Sequence, residues 1–169
     1  MKRKILKSKD LPIYRYTTNI SGKKISRDII HKQDISIIIA FKNNSIVIVS
    51  QNRFPNGNSL ELPSGLVEKH EKPIDAAYRE FSEETGYKAK KMIPFFSFYS
   101  WIGYSNQKVY CFIAKDFTKS GTLDLDKNEL ISPKIINFQK FLKLVKNGKI
   151  HEPCTIITTL TFAMKKNLI

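Results

Sequence analysis

Cysteine is nearly absent from this 169-residue chain, with only Cys111 and Cys154 present. Two thiols cannot build a disulfide framework, and both stand among apolar neighbours as buried free thiols do, so a reducing cytoplasm is expected. Arginine is scarce as well: Arg3, Arg15, Arg27, Arg53 and Arg79 are the only five among 29 basic residues. The formal charge of +14 is therefore almost entirely lysine. Because that lysine accompanies abundant isoleucine and asparagine, a composition bias accounts for it as well as an anionic ligand does. Long apolar runs are missing. The longest, Ile35 to Phe41, is far too short to span a membrane, and no signal-peptide core follows the basic stretch Met1 to Lys9. No membrane partner is expected, and Lys2, Arg3, Lys4, Lys7 and Lys9 read as a solvated tail. His31, His70 and His151 are not at metal-ligand spacing, and no glycine-rich phosphate loop, Ser/His/Asp order or internal repeat is visible.

What is present fits one globular domain with a small leading unit. Residues 1–32 form that unit: Ile13 to Thr18 and Ile25 to His31 are β-branched and aromatic segments flanking a turn with Ser21-Gly22, a hairpin pattern. Residues 33–169 form the main domain. There, Ile35 to Phe41 and Ile46 to Gln51 are strands apolar enough for burial on both faces. A short strand ends at Glu61-Leu62-Pro63-Ser64-Gly65, and Pro73 opens a helix whose Ile74, Ala77, Tyr78 and Phe81 recur at helical spacing up to Gly86. Strands at Met92 to Trp101 and Lys108 to Ala114 follow, then a long polar loop from Lys115 to Asn128, a last strand at Leu130 to Ile136, and helices at Phe138 to Val145 and Thr155 to Met164.

The chemistry is concentrated on the first helix. At 100° per residue, Glu80, Glu83 and Glu84 project from one side, and Arg79, one turn before Glu83, cannot neutralise all three. Surplus carboxylate is what a hard divalent cation requires, and magnesium binds through a few carboxylates while keeping water and substrate phosphate oxygens. A solvated acidic face is the plainer alternative, but the surrounding spacing weighs against it. Gly65, five residues, Glu71, seven residues, then Arg79-Glu80, Phe81, Ser82, Glu83-Glu84, Thr85, Gly86 and Tyr87 resemble the Nudix box, the signature of the Nudix hydrolase superfamily, without a mismatch. Seven fixed residue types at set spacing match by chance far less often than about one time in a million.

Upstream, Gln51-Asn52-Arg53 precedes Glu61-Leu62-Pro63-Ser64-Gly65, with Arg27 earlier still, and this run resembles the ADP-ribose pyrophosphatase branch of the superfamily. The resemblance implies an α/β Nudix fold, a mixed sheet between helices with a leading hairpin unit. It also implies magnesium-dependent hydrolysis of nucleoside diphosphate derivatives, ADP-ribose-like nucleotide sugars foremost, with manganese as an alternative ion. Glu80, Glu83, Glu84 and the main-chain carbonyl of Ser64 are then expected to hold the cation. Arg79 is expected to orient the acids, and Glu71 to support the loop or a metal-bound water. Arg27, Arg53 and Glu61 are expected at the substrate. The base is expected in the loop holding Asp124, Asp126 and Glu129, with Glu129 foremost because relatives of the branch use a loop glutamate there. The leading hairpin implies a homodimer in which it reaches the partner's site.

Tyr14, Tyr16 and Trp101 fit a core or a dimer interface better than a base-stacking platform. The chain departs from the branch after the box, where Ser-Pro-Gly followed by an acid is usual: Ile102 stands at the proline and Gln107 at the acid. The expected substrate class is accordingly broad. The enzymatic rival removes pyrophosphate from RNA 5′ ends or nucleoside triphosphates, with the +14 charge as its support. A non-catalytic nucleotide-binding module has no need of all three helix acids.

Overall fold

The computed structural model describes residues 2–6, 11–125 and 130–168. The strands are β1 (Lys2–Leu6), β2 (Ile13–Ile20), β3 (Lys23–Ile30), β4 (Ile35–Lys42), β5 (Ser45–Asn52), β6 (Asn58–Glu61), β7 (Ser64–Leu66), β8 (Tyr87–Tyr99), β9 (Lys108–Lys119) and β10 (Ile131–Asn137). The helices are α1 (Pro73–Thr85), α2 (Phe138–Lys146) and α3 (Pro153–Lys165).

Successive side chains of a strand point to opposite faces, so the isoleucine runs feed two cores at once. Ile37 and Ile39 of β4, with Ile46 and Ile48 of β5, meet Phe138, Phe141, Leu142 and Phe162 from α2 and α3. Ile38 and Ala40 of β4, with Val47 of β5, meet Ala77 and Phe81 of α1 on the other face. The result is a mixed seven-stranded sheet in the path β10-β5-β4-β9-β8, with β6 beside β5 and β7 beside β4. Only the β4–β9 pair is parallel among these described pairings. The expected mixed sheet between helices is the observed architecture.

Helix α1 spans the residues its sequence predicts. Pro73 supplies a fixed φ at the first turn, and Gly86 closes the helix in the left-handed region at φ 69°, its N–H donating to Ser82 O at 2.9 Å. The strand expected to end at Gly65 is two strands instead. Its chain crosses from β5 to β4 at Leu62-Pro63, where the Leu62 N–H donates to Thr155 Oγ1 (3.1 Å) and Pro63 O accepts from Ile38 N (2.9 Å). This crossing delivers Ser64 and Gly65 to the start of β4, directly under α1.

Three expectations need correction. Lys2–Leu6, expected within a tail, is a strand paired antiparallel with β2, making a separate three-stranded sheet β1-β2-β3, while Lys7 and Lys9 lie outside the described residues. Strand β8 begins at Tyr87, five residues before the expected Met92, and β9 continues to Lys119, so the polar connection begins later than Lys115. Trp101, expected to end a strand from Met92, stands beyond β8 and half exposed, stacked on Tyr104 with centroids 5.1 Å apart, outside the buried core of its own chain.

Candidate active site

Ser64-Gly65, the inner face of α1 and the end of β5 enclose a cleft of about 510 Å³. Its wall includes Glu80 and Glu84 from α1, Arg53 just beyond β5, Glu68, and the segment Lys32-Gln33. A larger side chain at Gly65 cannot coexist with this arrangement, because a Cβ there would stand 2.0 Å from Glu80 Cδ. The Glu80 carboxylate therefore lies directly on the bare backbone of the loop. Glu84 is 3% exposed and accepts the Ser64 N–H at 2.9 Å. Two of the three predicted helix acids thus converge on Ser64-Gly65. For Ser64, the expected contribution was its carbonyl; the contact the structure gives between Ser64 and the acids runs through its N–H.

Arg79 organises the rest. Its Nε and Nη2 each reach a different oxygen of Glu71 at 3.0 Å, Nη1 reaches Glu80 at 2.7 Å and Glu83 at 3.0 Å, and Nη2 also donates to Leu66 O. Hydrogen bonding to Glu71, then to Glu80 and Glu83, drives its pKa further up against the cost of burial. Glu71 is held below its ordinary carboxyl range first by these bonds from Arg79 and further by the Glu68 N–H at 2.9 Å. The loop and helix are thereby riveted into one rigid unit. Glu83 does not line the cleft; it pairs with Arg79, and its carbonyl accepts the Asp124 N–H at 3.1 Å.

Of the residues expected at the substrate, only Arg53 lines the cleft. It donates Nε and Nη2 to the two oxygens of Glu61 at 3.0 and 2.7 Å, and this pairing raises the Arg53 pKa. Glu61 is 1% exposed and also accepts from Gln51 at 2.9 Å, so it reaches a substrate only through Arg53. Arg27 lies on the exposed hairpin, donates to Ser26 O, and does not line the cleft of its own chain. Asp126 and Glu129 lie outside the described residues. Asp124 is described, and its backbone bond to Glu83 fastens the loop to the acidic end of α1.

The donor set fits a hard divalent cation. Among the described residues no three acidic, histidine or cysteine side chains form a closed cage. Magnesium needs only one or two protein carboxylates beside water and phosphate oxygens, and Glu80 and Glu84 meet at a backbone too bare to obstruct it.

Sequence reasoning missed Lys32, Gln33 and Gln107 as cleft residues. Lys32 and Gln33 fall at the seam between the hairpin unit and the main domain, where periodicity carries no information. Gln107 did leave a trace, as the amide standing where relatives of the branch carry an acid.

Comparison with known proteins agrees with this geometry. A family model of the NUDIX domain matches residues 31–154. The chain is 28% identical over 171 residues to an ADP-ribose pyrophosphatase of Bacillus subtilis (strain 168), covering 99% of this chain and 92% of that protein. It is 29% identical to a methanol dehydrogenase activator of Bacillus methanolicus, covering 88% and 82%. A crystal structure of an ADP compounds hydrolase superposes with a TM-score of 0.83 at 14% identity, covering 100% of this chain and 95% of that one, which supports the fold.

Proposed function

This chain belongs to the NUDIX domain family, and we propose that it is a hydrolase of nucleotide-sugar diphosphates, ADP-ribose-like compounds foremost, releasing a nucleoside monophosphate and a sugar phosphate. One observation carries the reading: the Gln51-Asn52-Arg53 and Glu61-Leu62-Pro63-Ser64-Gly65 segments place Arg53 and the Ser64-Gly65 backbone at the same cleft as the α1 acids. Near full-length similarity to an ADP-ribose pyrophosphatase supports it.

The family acts with divalent metal, and we assign magnesium here, which Glu80 and Glu84 would hold together with the main-chain carbonyl of Ser64. Such an ion supplies neutralisation of the diphosphate oxygens and a lower pKa for the attacking water. The chain's own residues do the rest. Arg79 fixes Glu80 and, through Glu71, the loop that carries Gly65, so the carboxylates need no reorganisation when substrate arrives. Arg53, with Nε and Nη2 committed to Glu61, retains Nη1 for a phosphate oxygen. Water attacks one phosphorus in line, and its proton passes to a carboxylate of the loop that Asp124 fastens beside Glu83, with Glu129 as the foremost candidate. Arg27 does not line the cleft of its own chain, and we assign it to a partner's cleft in a homodimer. Deleting residues 1–32 should then give a monomer with an incomplete site, and a full-length chain that sediments as a monomer would refute the sharing. Cytoplasmic location is part of the same proposal, supported by two buried free cysteines. Among the described residues no helix is long and apolar enough to cross a membrane.

Salt separates this reading from hydrolysis of RNA 5′ ends. An RNA enzyme using the lysine surface neutralises several phosphates, giving a log–log salt slope of about −0.7 per contact, whereas a nucleotide sugar presents one diphosphate and a shallow slope. The shallow slope, with kcat/KM for ADP-ribose above that for a triphosphorylated oligonucleotide, is the expected result. The reverse ranking with a steep slope overturns the substrate class.

A further inference from the structure

Three cationic side chains line the cleft, and two are already neutralised within the protein. Arg79 serves Glu71, Glu80 and Glu83, and Arg53 serves Glu61. Lys32 is the cleft cation with no ion pair among the described residues. A diphosphate brings negative charge into a cleft whose wall already carries Glu68, Glu80 and Glu84. A cation with its charge uncommitted meets those oxygens most effectively.

The backbone around Lys32 is fastened as a functional position needs to be. Residues 31–34 lie between β3 and β4 and so have no ladder of their own. The carboxamide of Asn106 supplies one: its Oδ1 accepts the Lys32 N–H at 2.9 Å and its Nδ2 donates to Lys32 O at 3.2 Å. The next residue repeats the device, with Gln107 Nε2 donating to Gln33 O at 2.6 Å while its Oε1 accepts from Ser100 Oγ at 3.0 Å. Gln107 is 4% exposed, so these bonds are sheltered from water. Asp34 completes the strap by accepting the Lys108 N–H on its side chain and the Val67 N–H on its carbonyl, both at 2.9 Å. The strap is thereby tied to the β8–β9 return on one side and to the loop after Gly65 on the other.

We infer that Lys32 binds the substrate's diphosphate in this cleft, and that Asn106 and Gln107 are positioning residues that hold it there. The inference rests on the nucleotide-sugar reading. It also gives the amide at position 107 a reason. Gln33 O needs a proton donor, and an ionised acid at 107 would set a carboxylate against that carbonyl instead. Lys32 contributes charge to binding and takes no proton during the reaction.

The test uses the full-length protein, with ADP-ribose as substrate and methylenediphosphonate, an unhydrolysable diphosphate, as a binding probe, both in magnesium. Lys32→Gln should raise KM by about tenfold to a hundredfold, as loss of a charge-assisted contact does, with a much smaller fall in kcat. Lys32→Arg should recover most of the loss, and KM should depend less on salt in Lys32→Gln than in the wild type. Gln107→Glu should raise KM in the same direction and add nothing further in the Lys32→Gln background. Gln107→Ala serves in its place if the glutamate variant does not fold. A wild-type enzyme that turns over ADP-ribose while Lys32→Gln keeps its KM overturns the assignment of Lys32. Additive effects of the two substitutions overturn the positioning role. If the wild type does not hydrolyse ADP-ribose, the substrate reading fails on its own, and the probe decides the rest: weaker methylenediphosphonate binding by Lys32→Gln upholds the diphosphate site, and unchanged binding overturns it.

Discussion

A single methyl group at position 65 should disable the site without unfolding the protein. A Cβ on Gly65 would stand 2.0 Å from Glu80 Cδ, 2.1 Å from Oε1 and 2.3 Å from Oε2. Carbon atoms in contact settle at about 3.5 Å or more, so the carboxylate must retreat by roughly 1.5 Å. It can do so cheaply, because the obstructed group is the end of a flexible side chain and not backbone. The retreat strains the 2.7 Å bond from Arg79 Nη1, but Arg79 keeps Glu71 and Glu83, so the expected loss of stability is about 1 kcal/mol. Function has no such reserve. A misplacement of about 1 Å at a reacting centre costs on the order of a hundredfold in rate. Gly65→Ala should therefore melt within a few degrees of the wild type while kcat/KM for ADP-ribose falls about a hundredfold. Wild-type turnover in a folded Gly65→Ala protein would show that Glu80 does not act from the position seen, and the cation assignment would go with it.

Glu84→Gln keeps an oxygen to accept the Ser64 N–H but removes a charge at the cation site, so kcat should drop by about a hundredfold or more with the fold intact; full turnover at saturating magnesium contradicts the assignment. Gly86→Ala forces a side chain into the left-handed region at φ 69° and against Gly121 O at 2.9 Å, and should cost about 1–2 kcal/mol in urea melts, with an unchanged midpoint as the refuting result. Burial pushes the Cys111 thiol up to about 11 and the Cys154 thiol up to about 12. Both should resist iodoacetamide at pH 8 in the native protein and react once it is unfolded. Since these folded-state values lie above the ordinary 9.0, the stability they contribute is intact below pH 9 and is lost as pH rises toward 12. Replacing both cysteines with alanine should flatten that alkaline loss.

The α1 boundaries were legible because proline and glycine mark both ends and the core residues keep a 3.6 period between them. The isoleucine strands β4 and β5 were legible for a similar reason, since few surfaces tolerate such runs. Lysine hid the rest. Lys88, Lys90 and Lys91 make the start of β8 read as a loop, although Tyr87, Ala89 and Met92 pack against the α1 core. In β9, Asp116 takes φ 52° and breaks the two-residue alternation just before Phe117, which is nevertheless 7% exposed. Charged strands at a sheet edge or in a small separate sheet obey tertiary pairing, which composition does not record. Within the site, the box fixed Glu80, Glu84, Arg79 and Glu71 by spacing. Glu61 was misplaced because an acid near an arginine reads equally well as substrate contact or as ion-pair partner, and only its 1% exposure decides between them. Lys32 meets Asn106, and Gln33 meets Gln107, each across 74 residues between two different connections, a proximity no local pattern encodes.

Product analysis tests the account at its centre. Full-length protein incubated with ADP-ribose and magnesium, with Glu84→Gln as control, should yield AMP and ribose 5-phosphate in equal amounts by mass spectrometry, and the control should yield neither at a comparable rate. Intact ADP-ribose beside efficient release of pyrophosphate from a nucleoside triphosphate or an RNA 5′ end would contradict it.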